Sequence, residues 1–165
     1  MAPMKSLCVA LCLAASMCSL ALLAPAAHAE STLFEQIGGE PVLRKTVDEF
    51  AVIVEADERI NFTFAETDIP KFKQLLFEQI CNITGGPCKY TGRTMEESHR
   101  KLKATNTMFN ALAEDLYISF DRAGVPYRLQ NKVMAMLAPM QRDIVKSEVG
   151  VVPPPAAPAG STGAK

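Results

Sequence analysis

Histidine is scarce: His28 and His99 are the only two in 165 residues. His28 falls in an N-terminal segment that reads as a leader, so a mature chain would keep one. One histidine cannot build an HExxH zinc helix or a His-rich metal cluster. Cys81, Cys88 and His99 match no common zinc spacing, and no fourth ligand accompanies them. The GxSxG elbow, the Walker loop and the CxxCH attachment motif are also missing, which removes the usual supports of hydrolase, NTPase and c-type haem readings. Charge is sparse as well, with 21% charged residues and a formal net charge of −1. Without a basic cluster there is no footprint for nucleic acid. Strand-like alternation is weak and no internal repeat is present, which leaves an all-α class.

What is there begins with Lys5, the uncharged run 6–27, and the small-x-small triplet Ala27-His28-Ala29. This is the layout of an export signal cleaved after Ala29; a retained membrane anchor is the alternative, because the run is long enough to span a bilayer. Cleavage would remove Lys5 and no acidic residue, making the mature chain slightly more acidic, with no stable membrane insertion expected. It would also remove Cys8, Cys12 and Cys18, leaving Cys81 and Cys88 for an oxidising compartment, either bridged or as two buried thiols. The expected organisation is a signal peptide over 1–29, one domain over 30–150, and a disordered Pro/Ala/Gly-rich tail over 151–165 that cannot offset its own ordering entropy.

Helical spacing runs through the domain. A capped turn over 31–37 stops at Gly38-Gly39, and Pro41 can start a helix with Val42, Val47, Phe50, Ile53 and Val54 on one face as far as Ala56. Residues 57–67 form a connection in which Phe62 and Phe64 are expected to lie over a core or a cofactor. Asp68 caps a third helix, with Ile69, Phe72, Leu76, Ile80 and Ile83 as its stripe and Gly85-Gly86-Pro87 as its stop. A short helix from Met95 to about Leu102 carries His99 one turn after Met95. Thr105 or Asn106 caps the next, striped by Phe109, Leu112, Leu116 and Phe120. After Val125-Pro126, a last helix kinked at Pro139 runs to about Lys146.

By spacing alone, a single histidine on a short helix is more often structural than a ligand. The landmarks around it change that weighting. Leu33-Phe34-Glu35-Gln36-Ile37-Gly38-Gly39, Gly85-Gly86-Pro87, Tyr90-Thr91-Gly92-Arg93, Met95-Glu96-Glu97-Ser98-His99, Phe109, Val125-Pro126 and Leu137-Ala138-Pro139 resemble, in order, the group I truncated haemoglobins. The resemblance spans about 32–145 and implies a 2-on-2 helical sandwich around non-covalent haem b. It casts His99 as the iron ligand, Phe64 as the aromatic on the haem face, and Met95, Phe109 and Leu112 as proximal packing. Thr67 and Lys71 match positions that can reach the propionates.

The distal side departs from the family. Ala51 stands where many members have tyrosine, Leu76 where they have glutamine, and Phe72 between them is also apolar. Dioxygen at the iron depends on a hydrogen-bond donor more than carbon monoxide does, so weak oxygen retention is expected. The function implied is reversible binding of O2, NO or CO in a periplasmic or secreted globin of the oxygen-transport class. A reductase is a further candidate partner, and nitric oxide dioxygenation or peroxidase-like turnover is a side activity at most. The competing reading is a haem-free secreted helical module that binds a protein partner through an apolar stripe.

Overall fold

Four of the helices start at a residue whose side chain accepts from one of their free N–H groups. The computed structural model describes residues 30–146; the expected signal over 1–29 and tail over 151–165 lie outside the described residues. Thr32 and Glu35 form a reciprocal capping box at helix α1, Leu33–Gln36. Helix α2, Gly39–Ala56, begins two residues before Pro41, because Gly38 takes the left-handed conformation at its N-cap (φ 106°). Asp68 caps α3, Ile69–Ile83, by accepting from the Lys71 N–H. Thr94 and Glu97 make a second capping box on α4, Met95–His99. Thr105 caps α5, Asn106–Ala123, which Gly124 ends in the left-handed conformation. Helix α6, Tyr127–Leu137, follows Pro126.

Among the described residues there is no strand, as the weak alternation implied. Helix α2 packs against both α3 and α5, and α5 against α6. Leu43, Val54, Ile80, Phe120 and Val133 are fully buried between them. Each contributes about 1.5–3 kcal/mol of apolar burial, which outweighs the modest ion pairs Lys73–Asp48 and Arg122–Glu49 that join the same helices at the surface. No helix among the described residues is long and apolar enough to cross a membrane.

Three expectations are corrected. Helix α4 ends at His99 rather than near Leu102, with Arg100 as its C-cap. The last helix does not run kinked to Lys146: a 3-10 turn at Ala138–Met140 separates α6 from α7, Gln141–Ile144. Pro139 lacks the N–H that a continuous helix would need there. Phe62 lies over no core, being 63% exposed, while Phe64 in the same 3-10 turn, Asn61–Phe64, packs inward.

That turn is fastened to α5 by a group of charges. Arg59 pairs with Asp57 at 2.8 Å and with Glu114 at 2.6 Å, and its second terminal nitrogen lies 3.8 Å from Asp115. Asp115 is only 2% exposed, and one of its carboxylate oxygens has no hydrogen-bond partner. Burial, reinforced by the neighbouring Asp57 charge, raises the Asp115 carboxyl to about 6, whereas the Arg59 hydrogen bond lowers Asp57. The folded chain therefore holds the Asp115 proton more tightly than the unfolded chain. The stability this adds is complete below the ordinary value of 3.8 and is lost as pH rises through about 6. Asp115→Asn, which keeps the shape without the charge, is expected to be more stable than the wild type by about 1–3 kcal/mol at pH 7.5 and to lose that advantage at pH 4. Denaturant unfolding at the two pH values checks this; an equal difference at both would refute a retained proton.

Candidate functional site

The segment between α3 and α4 decides where His99 sits. Cys81, fully buried on α3, and Cys88 are disulfide-bonded, with Cα atoms 5.7 Å apart and a sequence separation of 7. The bridge closes over Gly85-Gly86-Pro87. A Cβ on Gly86 would lie 2.6 Å from the Cys81 sulfur and 2.9 Å from its carbonyl oxygen, so only glycine fits this approach. The Phe34 N–H donates to the Thr84 carbonyl at 2.9 Å, which ties α1 to the same corner. Beyond it, Glu78 on α3 accepts from both the main-chain N–H (3.0 Å) and the hydroxyl (2.7 Å) of Thr91. The Tyr90 hydroxyl donates to the Arg93 carbonyl at 2.8 Å. The landmark loop is thus bonded to α3 on the way to α4.

On α4 the half-buried His99 ring contacts its own helix: Nδ1 lies 2.8 Å from the Met95 carbonyl oxygen. A carbonyl can only accept, so Nδ1 carries a hydrogen, and in the neutral ring Nε2 keeps its lone pair. Among the described residues Nε2 has no hydrogen-bond partner. The neutral form of the ring is thereby confined to one tautomer, the one that ligates a metal through Nε2.

The other predicted residues divide. Phe72 on α3 lies 5.3 Å edge-on from Phe64 and 6.2 Å from Phe50, and Leu76 follows one turn later. Phe64, Phe72, Leu76 and Leu112 are partly buried and pack against the core without being covered. Ala51 is buried on α2. Thr67 is half-buried, its N–H donating to the Phe64 carbonyl at 2.8 Å, and Lys71 is exposed. Phe109, one turn before Leu112 on α5, lines a cleft of about 370 Å³ shared with Tyr117, Asn131, Met134 and Leu137. A groove of about 300 Å³ beside Arg44, Asp48 and Lys73 holds none of the predicted residues.

Two features escaped the sequence reading. The Gln79 side-chain amide lies 3.3 Å from the sulfur of Met95 and 3.3 Å from that of Met140, joining α3, α4 and the 3-10 turn after α6. A glutamine three residues after Leu76 in an apolar stripe was its only signal. The Asp57–Arg59–Asp115 group was the other, signalled by an aspartate beside Leu116 in the stripe of α5.

Large uncharged side chains left uncovered, together with one imidazole whose Nε2 is free, fit a flat apolar prosthetic group bound through one axial nitrogen. Comparison with known proteins agrees. The bacterial-like globin family profile matches residues 32–146. The group 1 truncated hemoglobin GlbN of Mycolicibacterium paratuberculosis is 31% identical over 122 residues, covering 74% of this chain and 90% of its own. The truncated hemoglobin of Tetrahymena pyriformis, solved in the Fe(III) form, superposes with a TM-score of 0.68 at 27% identity, covering 71% of this chain and 100% of its own. The 2/2 hemoglobin of Synechococcus sp. PCC 7002, solved in the cyanomet state with covalently attached heme, gives a TM-score of 0.66 at 29% identity over 70% of this chain and 98% of its own. The 2-on-2 arrangement expected from the sequence is therefore the fold.

Because the bridge restrains the unfolded chain over a short loop, reducing it is expected to lower the unfolding free energy by about 2–3 kcal/mol. Denaturant titration with and without reductant measures this. An unchanged midpoint, with loss of the bridge verified by mass, would show that it carries no stability.

Proposed function

The chain belongs to the bacterial-like globin family, which binds haem and a diatomic gas at its iron, and from that premise we propose an exported b-type globin whose iron ligand is His99. The observation that carries this reading is the His99 ring itself, pinned through Nδ1 to the Met95 carbonyl with Nε2 free. Family membership also sets aside the haem-free interaction module. When bound, haem supplies an iron with one position open to a small gas.

The chain's own residues set the rest. His99 would hold the group through Nε2, while Phe64, Phe72, Leu76 and Leu112 would exclude water from its faces and Met95 would pack on the His99 side. Thr67 and Lys71 stand at the start of α3, where they would meet the acidic edge of the group. Non-covalent attachment is supported by the side chains present: among the described residues His99 is the only histidine, and the only two cysteines are bound to each other. Export is supported by the leader-like segment and by a disulfide, a bond that persists in oxidising compartments. There a reductase is the expected protein partner, because a ferrous iron must be regenerated.

Ala51, Phe72 and Leu76 offer no hydrogen-bond donor, and the nearby Thr63 hydroxyl donates to the Ile60 carbonyl at 2.7 Å. A ligand that gains partial negative charge would therefore be held weakly, which suits reversible gas exchange with rapid release in the oxygen-transport class.

Two measurements test this reading. Purified wild type is expected to show a haem absorption band that His99→Ala loses; a band retained in full by the variant would remove His99 as the ligand. Oxygen dissociation from the ferrous protein should be fast, and Leu76→Gln should slow it by roughly ten- to a hundredfold, the worth of about 1.5–3 kcal/mol from one hydrogen bond to a partly charged acceptor. Carbon monoxide release should change far less. Slow oxygen release in the wild type would disprove the donor-free pocket.

A further inference from the structure

Helix α4 has only five residues, Met95–His99. So short a helix is not stable alone, since nucleation is unfavourable and few bonds follow it. Its ring-bearing residue must be oriented by contacts from elsewhere. Helix α4 packs on α7, and three polar contacts hold it: the Thr94–Glu97 capping box at its start, an exposed bond of 3.2 Å between Lys146 and Glu96, and the Gln79 amide on the Met95 sulfur. The first is local, and the second joins exposed side chains and is weak. Only Gln79 reaches α4 from the partly buried interior of a long helix.

Met95 connects the two ends of this arrangement. Its thioether lies 3.3 Å from the Gln79 amide nitrogen, and its carbonyl oxygen lies 2.8 Å from Nδ1 of His99. The same amide nitrogen lies 3.3 Å from the Met140 sulfur, so one NH2 group, with two hydrogens to give, is shared between two thioethers. Each bond is weak, because sulfur is a poor acceptor, but together they fix where the amide stands between three elements. A shift of the Met95 backbone moves the carbonyl that orients His99, and the clamp restrains that shift through the Met95 side chain.

We infer that Gln79 is a positioning residue for His99: by clamping Met95 against Met140 it fixes the carbonyl that accepts from Nδ1. It thereby sets the direction and basicity of the Nε2 lone pair. This rests on the reading of His99 as the iron ligand. Hydrogen bonding at the far nitrogen raises the basicity of a ligating imidazole, and outer-shell partners of this kind alter metal affinity by about 10–100-fold. A looser Nδ1–H bond makes a less basic ligand, a weaker iron–nitrogen bond and a more positive reduction potential.

The test compares haem-loaded wild type, Gln79→Leu, Met140→Leu and His99→Ala by resonance Raman of the ferrous form and by potentiometry. Gln79→Leu fills a similar volume without a donor. It is expected to move the iron–histidine band to lower frequency, to shift the potential positive, and to lose haem about tenfold faster. Met140→Leu, which removes half the clamp and leaves Met95 intact, should shift both signals the same way by less. A wild-type band and potential in Gln79→Leu would overturn the proposal. If that variant takes up no haem, Met140→Leu decides: a shift in the stated direction supports the clamp, and wild-type values overturn it. His99→Ala separates the two readings. If it keeps the iron–histidine band, the ligand assignment fails; if it loses the band while Gln79→Leu matches wild type, only the clamp fails.

Discussion

The bond from Nδ1 of His99 to the carbonyl of Met95 is the constraint on which the candidate site depends. A neutral imidazole offers its lone pair from whichever nitrogen lacks hydrogen, and an unrestrained ring would divide between two tautomers. Committing Nδ1 to a main-chain acceptor one turn earlier leaves Nε2 as the nitrogen able to ligate. The acceptor is backbone, so the arrangement holds for as long as α4 keeps its helical shape and its place.

Keeping that place is a task for the tertiary structure. The disulfide and Gly86 close the corner after α3, Glu78 receives Thr91, and the capping box starts α4. On the opposite side, Arg59 holds the turn that carries Phe64 against α5, with buried Asp115 beneath it. The core of α2, α3, α5 and α6 supplies most of the stability, whereas these polar and covalent ties decide where two short segments stand. The polar ties are individually weak, so they serve geometry more than stability, whereas the disulfide serves both.

The absence of donors at Ala51, Phe72 and Leu76 has a second consequence. A tyrosine or glutamine at such positions would need a hydrogen-bond partner whenever the pocket held no polar ligand, because an unmet polar group in an apolar slot is destabilising. Here Phe72 packs between Phe64 and Phe50, and the slot is satisfied without a ligand. Under the proposed function, selectivity among gases would rest on shape and on the iron, with little help from polar contacts.

Much of this was legible in the order of residues. Helix starts followed from Asp68 and Thr105, each of which caps the helix after it, because capping acts over three residues; the Thr94 cap of α4 went unread. The apolar stripes and His99, the one histidine among the described residues, were equally local. Phe62 and Phe64 show the limit: two phenylalanines one residue apart in a single turn, of which only the second packs inward, a choice made by α3 lying beneath it. The long final helix failed for a similar reason, since its stripe continues past Pro139 while its backbone does not. Gln79, Met95 and Met140 are 16 and 61 residues apart along the chain from the amide they share. Local pattern therefore determined the helices, the caps and the identity of the single imidazole. Only the tertiary contacts of α4, with α7 and with the Gln79 amide, decided which way that imidazole is held, because its supports come from residues that no periodicity links.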